Sequence, residues 1–124
     1  MEYIQTNQAP AAIGPYSQAI RAGNVLYASG QIPVDPQTGM IAGDTIEAQA
    51  HQACRNVGAI LAAAGLGYEN VVKTTCFLAD ITDFSAFNQV YAQYFVSKPA
   101  RSCVAVKDIP KGCLCEIEII AVAE

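Results

Sequence analysis

The run CLCEIEIIAV, residues 113–122, restricts the fold more than any other part of the chain. Side chains along a strand alternate between two faces. One face of this strand carries Cys115, Ile117, Ile119 and Ala121, all apolar. The other carries Leu114, Glu116, Glu118, Ile120 and Val122, still mostly apolar but with two carboxylates among them. A strand of this kind needs cover on both sides. If helices of the same chain cover the first face, the second is left for something else.

Two stretches can supply those helices. Ile46, Ala50, Ala53, Val57, Ile60, Leu61 and Ala64 recur at spacings of three and four, one apolar stripe. The tetrapeptide DTIE ahead of it has the form of a capping box opened by Asp44, and Gly65 and Gly67 follow as C-terminal stops. A second helix is expected from Thr82 or Asp83, with Phe84, Phe87, Tyr91, Tyr94 and Phe95 on one face and Pro99 forbidding its extension. Strands are expected at 3–6, 17–21, 25–29, 70–80, 101–106 and 114–122. AGN at 22–24 reads as a hairpin turn and DPQTG at 35–39 as another. The order is β-rich, helix, β, helix, β, β. This predicts an α+β fold: a single mixed sheet with two helices on one face.

At 124 residues the chain forms one domain, 1–124. Only 15% of residues are charged while 52% are hydrophobic, against about 25% charged in ordinary soluble domains. No apolar run approaches the ~20 residues that cross a bilayer, so no membrane partner is expected. The missing surface charge and the bare sheet face together predict an oligomer. A net charge of −4, with seven scattered basic residues, argues against binding nucleic acid backbones. The N-terminal MEYIQTNQAP lacks the regions of a signal peptide, and five cysteines is an odd number. Reduced thiols in the cytoplasm are the expectation.

Arg101 stands at the entrance of the apolar strand SCVAV, and two readings are open for it. It could pair internally with Glu116 or Glu118. It could instead clamp a ligand carboxylate, because its planar fork binds two oxygens at once. Glu116 and Glu118 could be edge charges that discourage wrong pairing, or a carboxylate in a partly dry cleft that orients a water or passes a proton. Cys103 alternates onto the face of Arg101 and could line the same pocket, or be a small buried hydrophobe. Cys113 and Cys115 form C-x-C, which is no zinc knuckle, so no metal site is expected. His51 falls on the polar side of the first helix and should be solvated. GPYS (14–17) and SGQIP (29–33) could bring backbone N–H groups close to a ligand, with Tyr16 and Ser29 supplying hydroxyls. No phosphate-binding loop is present, so no nucleotide cofactor is expected.

The segments IGPYSQA, SGQIPVDPQTG, NVVKTTCFLADITDF, NQVYAQYF, PARSCVAV and EIEIIAV, in that order, resemble the reactive intermediate deaminases, the Rid or YjgF-like family. The resemblance runs from about Ala9 to Val122. It implies a chorismate-mutase-like subunit assembled as a homotrimer, with ligand sites in the clefts between subunits. It also implies hydrolysis of 2-imino acids such as 2-iminobutanoate and 2-iminopropanoate, and of their enamine tautomers, to 2-oxo acids and ammonia, without a cofactor. Carried over by position, Arg101 is the carboxylate-binding residue and Glu116 holds the water. Tyr16, Ser29, Gly30, Asn88 and Cys103 match positions around the small 2-imino or 2-oxo acid.

Overall fold

The structure is a computed structural model and describes residues 1–124. Six strands form one mixed sheet: β1 (Glu2–Ile4), β2 (Ala19–Ala22), β3 (Val25–Gln31), β4 (Val71–Leu78), β5 (Ala100–Ala105) and β6 (Cys115–Val122), in the spatial order β1-β2-β3-β6-β4-β5. Two helices, α1 (Ile46–Ala63) and α2 (Phe84–Tyr94), cover one face. The expected α+β class and element order are what the chain adopts.

The last strand takes the central place its alternation demands. β6 runs antiparallel to both β3 and β4, and β4 is parallel to β5. β3 and β4 therefore point the same way on either side of β6, linked through α1, while β4 and β5 are linked through α2. Beneath the helices lie Leu26 and Ala28 from β3, Cys76 and Leu78 from β4, and Cys115, Ile117, Ile119 and Ala121 from β6. They meet Ala50, Ala53, Val57, Ile60 and Leu61 of α1 and Phe87, Val90 and Tyr91 of α2, all buried.

The opposite face has no cover from this chain. Across β1, β2, β3 and β6 it presents Tyr3, Ile20, Tyr27 and Ile120 in register, and across β6, β4 and β5 it presents Glu116, Phe77 and Val104. Tyr3, Tyr27 and Val104 are 69%, 52% and 46% exposed. That is the half-covered sheet expected from residues 113–122.

Helix ends follow local chemistry, with one correction. The N-cap of α1 is Thr45, not Asp44: its backbone is extended and its Oγ1 accepts from the Ala48 N–H at 3.2 Å. With the cap one residue later, the third helical position is Ala48, so Glu47 closes no capping box. It contributes only a negative charge in the first turn. The far end is a Schellman stop. Gly65 takes φ +74, its N–H donates to Ala62 O, and Leu66 N–H donates to Leu61 O. Arg21 Nη2 then donates to Ala64 O at 2.7 Å, a cation on the helix C-terminus. α2 is led in by a 3₁₀ turn over Ile81–Asp83, whose Asp80 carboxylate accepts from the Thr82 N–H.

His51 is a second correction. It is half-buried, with Nδ1 2.8 Å from the Tyr94 hydroxyl and its ring edge-on to that of Tyr94. The side of α1 that reads as polar in isolation is the side that α2 approaches. No helix is long and apolar enough to cross a membrane.

Candidate functional site

Arg101 sits on β5 with Thr74 of β4 as its register partner. Thr74 is buried under the helices, so Arg101 rises on the helix side of the sheet, at its outer edge. There it meets α2. Arg101 Nη1 donates to Asn88 Oδ1 at 2.7 Å. Its guanidinium carbon lies 4.9 Å from the centre of the Tyr91 ring and 5.4 Å from that of Phe84. These contacts come from one stripe of α2, since Phe84, Asn88 and Tyr91 are spaced four and three apart.

The internal ion pair considered for Arg101 does not form. Glu116 and Glu118 oppose Phe77 and Thr75 of β4 and point to the uncovered face, so the sheet itself separates them from Arg101. The guanidinium instead borders an open cleft of about 490 Å³ lined by Asn88, Tyr91, Ala92, Phe95, Val96, Lys98, Pro99 and Arg101. That lining holds two cations and no acid. Cys103, two residues along β5, shares the face of Arg101, beside Cys76. It is half-buried against the core, and burial raises its thiol pKa despite the nearby guanidinium.

The remaining expected residues gather on the other side. Between Ala28 and Gln31, β3 spends three steps while β6 spends two, a bulge that places Ser29 and Gly30 opposite Glu118. The bulge brings Gly30 against Glu116. A Cβ built on Gly30 would collide with the Glu116 carboxylate, so only glycine leaves that space to the acid. Glu116 is half-buried there, and its pKa is raised, first by burial and second by the neighbouring Glu118. Ser29 donates its hydroxyl to Ser17 O at 2.6 Å, which ties the bulge to the segment carrying Tyr16.

Tyr16 is exposed and lines three clefts, two of which reach other residues expected at the site. One, of about 490 Å³, also borders Ser29 and Glu118; the other, of about 670 Å³, borders Gly30, Ile32, Pro110 and Lys111. The loop before Tyr16 is held by the buried Gln18. Its Oε1 accepts from the Thr6 N–H and its Nε2 donates to Thr6 O and Pro10 O. No three His, Cys, Asp or Glu side chains converge as metal ligands would.

Within one chain the expected residues thus form two groups: Arg101, Asn88 and Cys103 at the β5–α2 edge, and Tyr16, Ser29, Gly30 and Glu116 on the uncovered side. Sequence reasoning missed Tyr91 and Phe84 as partners of Arg101. Their spacing was legible, but it read only as an apolar stripe.

Comparison with known proteins gives a consistent picture. The profile of the family described as Endoribonuclease L-PSP matches residues 6–123. A RutC family protein of Synechocystis is 54% identical, covering 98% of this chain and 96% of the relative. The human 2-iminobutanoate/2-iminopropanoate deaminase is 49% identical, covering 96% of this chain and 88% of the relative. The crystal structure of E. coli TdcF with bound serine superposes with a TM-score of 0.95 at 45% identity, covering 100% of both chains. On this sequence match and on its chorismate-mutase-like architecture, the chain belongs to the Endoribonuclease L-PSP family, the Rid or YjgF-like proteins.

Proposed function

We propose that this protein is a 2-iminobutanoate/2-iminopropanoate deaminase, which hydrolyses reactive 2-imino acids and their enamine tautomers to 2-oxo acids and ammonia. The observation that carries this reading is Arg101. It is held by Asn88, faces a cleft without acids, and has no carboxylate of its own chain within reach. A planar guanidinium so placed suits the carboxylate common to every 2-imino acid. The deaminase name carried by the human relative and the serine bound to TdcF favour the same ligand class.

The site is completed between subunits of a homotrimer. The uncovered apolar face supplies the surface for assembly. A neighbour packed there would bring its Arg101 edge to the Tyr16, Ser29, Gly30 and Glu116 of the next chain. Arg101 grips the carboxylate and so fixes the adjacent C2. Glu116 holds a water against the protonated imine, with the Cys103 carbonyl as a second acceptor. The water oxygen bonds to C2 while the C=N π pair returns to nitrogen, and Glu116 takes the water's proton. The resulting carbinolamine receives that proton on nitrogen. The ionised Glu116 then takes the hydroxyl proton as the C–O π bond forms and the C–N bond breaks, so ammonia leaves and the 2-oxo acid remains. Holding the partners in place supplies most of the acceleration, and no cofactor is required.

Ribonuclease chemistry, suggested by the family's description, fits this chain less well. Its net charge is −4 and its seven basic residues are dispersed. The test is to generate 2-iminobutanoate with a threonine dehydratase and follow its loss with wild type and Arg101→Ala. A folded, trimeric Arg101→Ala protein should leave the imine to decay at its spontaneous rate. Equal rates for the two proteins would remove Arg101 from the mechanism.

A further inference from the structure

We infer that Tyr91 is a positioning residue for the Arg101 clamp, transmitting the order of the protein core to the guanidinium plane. The inference rests on Arg101 acting as the carboxylate binder, as proposed above.

An arginine at a sheet edge has a long, mobile side chain, and binding would have to immobilise it. Here the chain builds a seat for it beforehand. Thr74 and Arg101 are register partners on adjacent parallel strands, on one face. Tyr91 descends from α2 onto that pair. Its hydroxyl shares a 2.7 Å hydrogen bond with Thr74 Oγ1, and its ring comes within 4.9 Å of the guanidinium carbon. Thr74 is fully buried and Tyr91 nearly so. The ring is also stacked on Phe95, centre to centre 4.5 Å, which fixes its tilt.

Asn88, one turn earlier on α2, takes one N–H of the guanidinium at 2.7 Å. A guanidinium has five N–H donors, so the others stay available to a ligand. An aromatic face attracts the cation without using any of these donors. A carboxylate in place of Tyr91 would have competed with the ligand, and an amide there would have taken a further N–H, whereas the Tyr91 hydroxyl is engaged by Thr74. Phe84 adds a second ring at 5.4 Å. Asn88 then acts through Arg101, in addition to any contact it makes with the ligand.

The experiment compares wild type, Tyr91→Phe, Tyr91→Leu, Phe84→Leu and Arg101→Lys, each checked for fold and assembly. Two quantities are read: the affinity for 2-oxobutanoate by calorimetry, and kcat and KM for 2-iminobutanoate. Tyr91→Leu should weaken 2-oxobutanoate binding and raise KM about five- to tenfold, with kcat nearly unchanged. Tyr91→Phe keeps the ring but frees it from Thr74, and Phe84→Leu removes the farther ring; both should fall between wild type and Tyr91→Leu. In an Arg101→Lys background, where a compact ammonium on a flexible stem replaces the planar fork, Tyr91→Leu should cost clearly less than it does beside Arg101. A purely structural tyrosine would cost the same in both backgrounds. Wild-type affinity in Tyr91→Leu alongside lost affinity in Arg101→Lys would overturn the positioning role and leave the clamp standing. Wild-type affinity in both would remove the clamp itself.

Discussion

Arg101 and Glu116 project from opposite faces of one sheet. Arg101 is the neighbour of buried Thr74, whereas Glu116 opposes Phe77 on the uncovered side. No rotamer of either side chain brings them together through the sheet. A chain that uses both on one ligand must therefore use two copies of itself, and the charge-poor composition and bare sheet face fit the same conclusion.

Gly30 is a steric partner of Glu116. Its φ is not in the left-handed region, so alanine is acceptable to the backbone, yet the added Cβ would occupy the carboxylate's space. Gly30→Ala should lower kcat for 2-iminobutanoate about tenfold or more, as expected when a reacting group is displaced. Affinity for 2-oxobutanoate should change little. Unchanged kcat in a folded variant would remove Glu116 from the reaction.

The pH profile should carry the signature of Glu116. Burial first, and Glu118 second, hold its carboxyl above the ordinary value of 4.5. Activity that needs the ionised form falls as pH drops through the raised value, so the acid limb lies above 4.5. Glu118→Gln removes one cause and should move that limb to lower pH. For stability the sign is as follows. The folded chain retains a proton that the unfolded chain has released, so this contribution is present below 4.5 and is lost as pH rises through the folded value. A limb that does not move in Glu118→Gln would deny the coupling.

Thiol reactivity should be low in the native protein. Burial pushes Cys76 up to about 12 and Cys54 and Cys115 higher still, and Cys113 is raised and buried as well. At pH 8 a chromogenic disulfide reagent should modify at most Cys103 before denaturant is added, and all five thiols afterwards. Fast reaction of several native thiols would contradict the core packing.

Asn56 fastens α1 to the segment after β3. It is buried, its Nδ2 donates to both Ile32 O and Val34 O at 2.9 Å, and its Oδ1 accepts from Gln52. Asn56→Ala leaves two carbonyls without that donor and should cost about 2 kcal/mol in urea unfolding of the assembled protein. A loss near zero would mean water replaces the amide freely.

Periodicity made the layers legible from sequence, because apolar spacing of two and of three to four follows directly from strand and helix geometry. The stripe of α1 and the inner face of β6 were readable residue by residue for that reason. Asn56, Gln49 and Gln18 were not. All three are buried amides that bond loop backbone far away in sequence, for example Gln49 Oε1 accepting from Leu114 N–H. No local pattern marks such a residue as interior. The cap moved from Asp44 to Thr45 because both types cap well and only the backbone turn after Gly43 decides between them. Arg101 and Glu116 were visible as charges in apolar strands. That they face opposite ways was not, since the parity of one strand against another depends on register.

Mixed assemblies offer the most direct measurement. Arg101→Ala and Glu116→Gln chains, each inactive alone, are refolded together in equal amounts and the formation of hybrid trimers is verified by native mass spectrometry. If a site takes Arg101 from one chain and Glu116 from the next, random mixing restores about a quarter of the sites, and loss of 2-iminobutanoate should recover in that proportion. Hybrid trimers no more active than either parent would contradict the shared site.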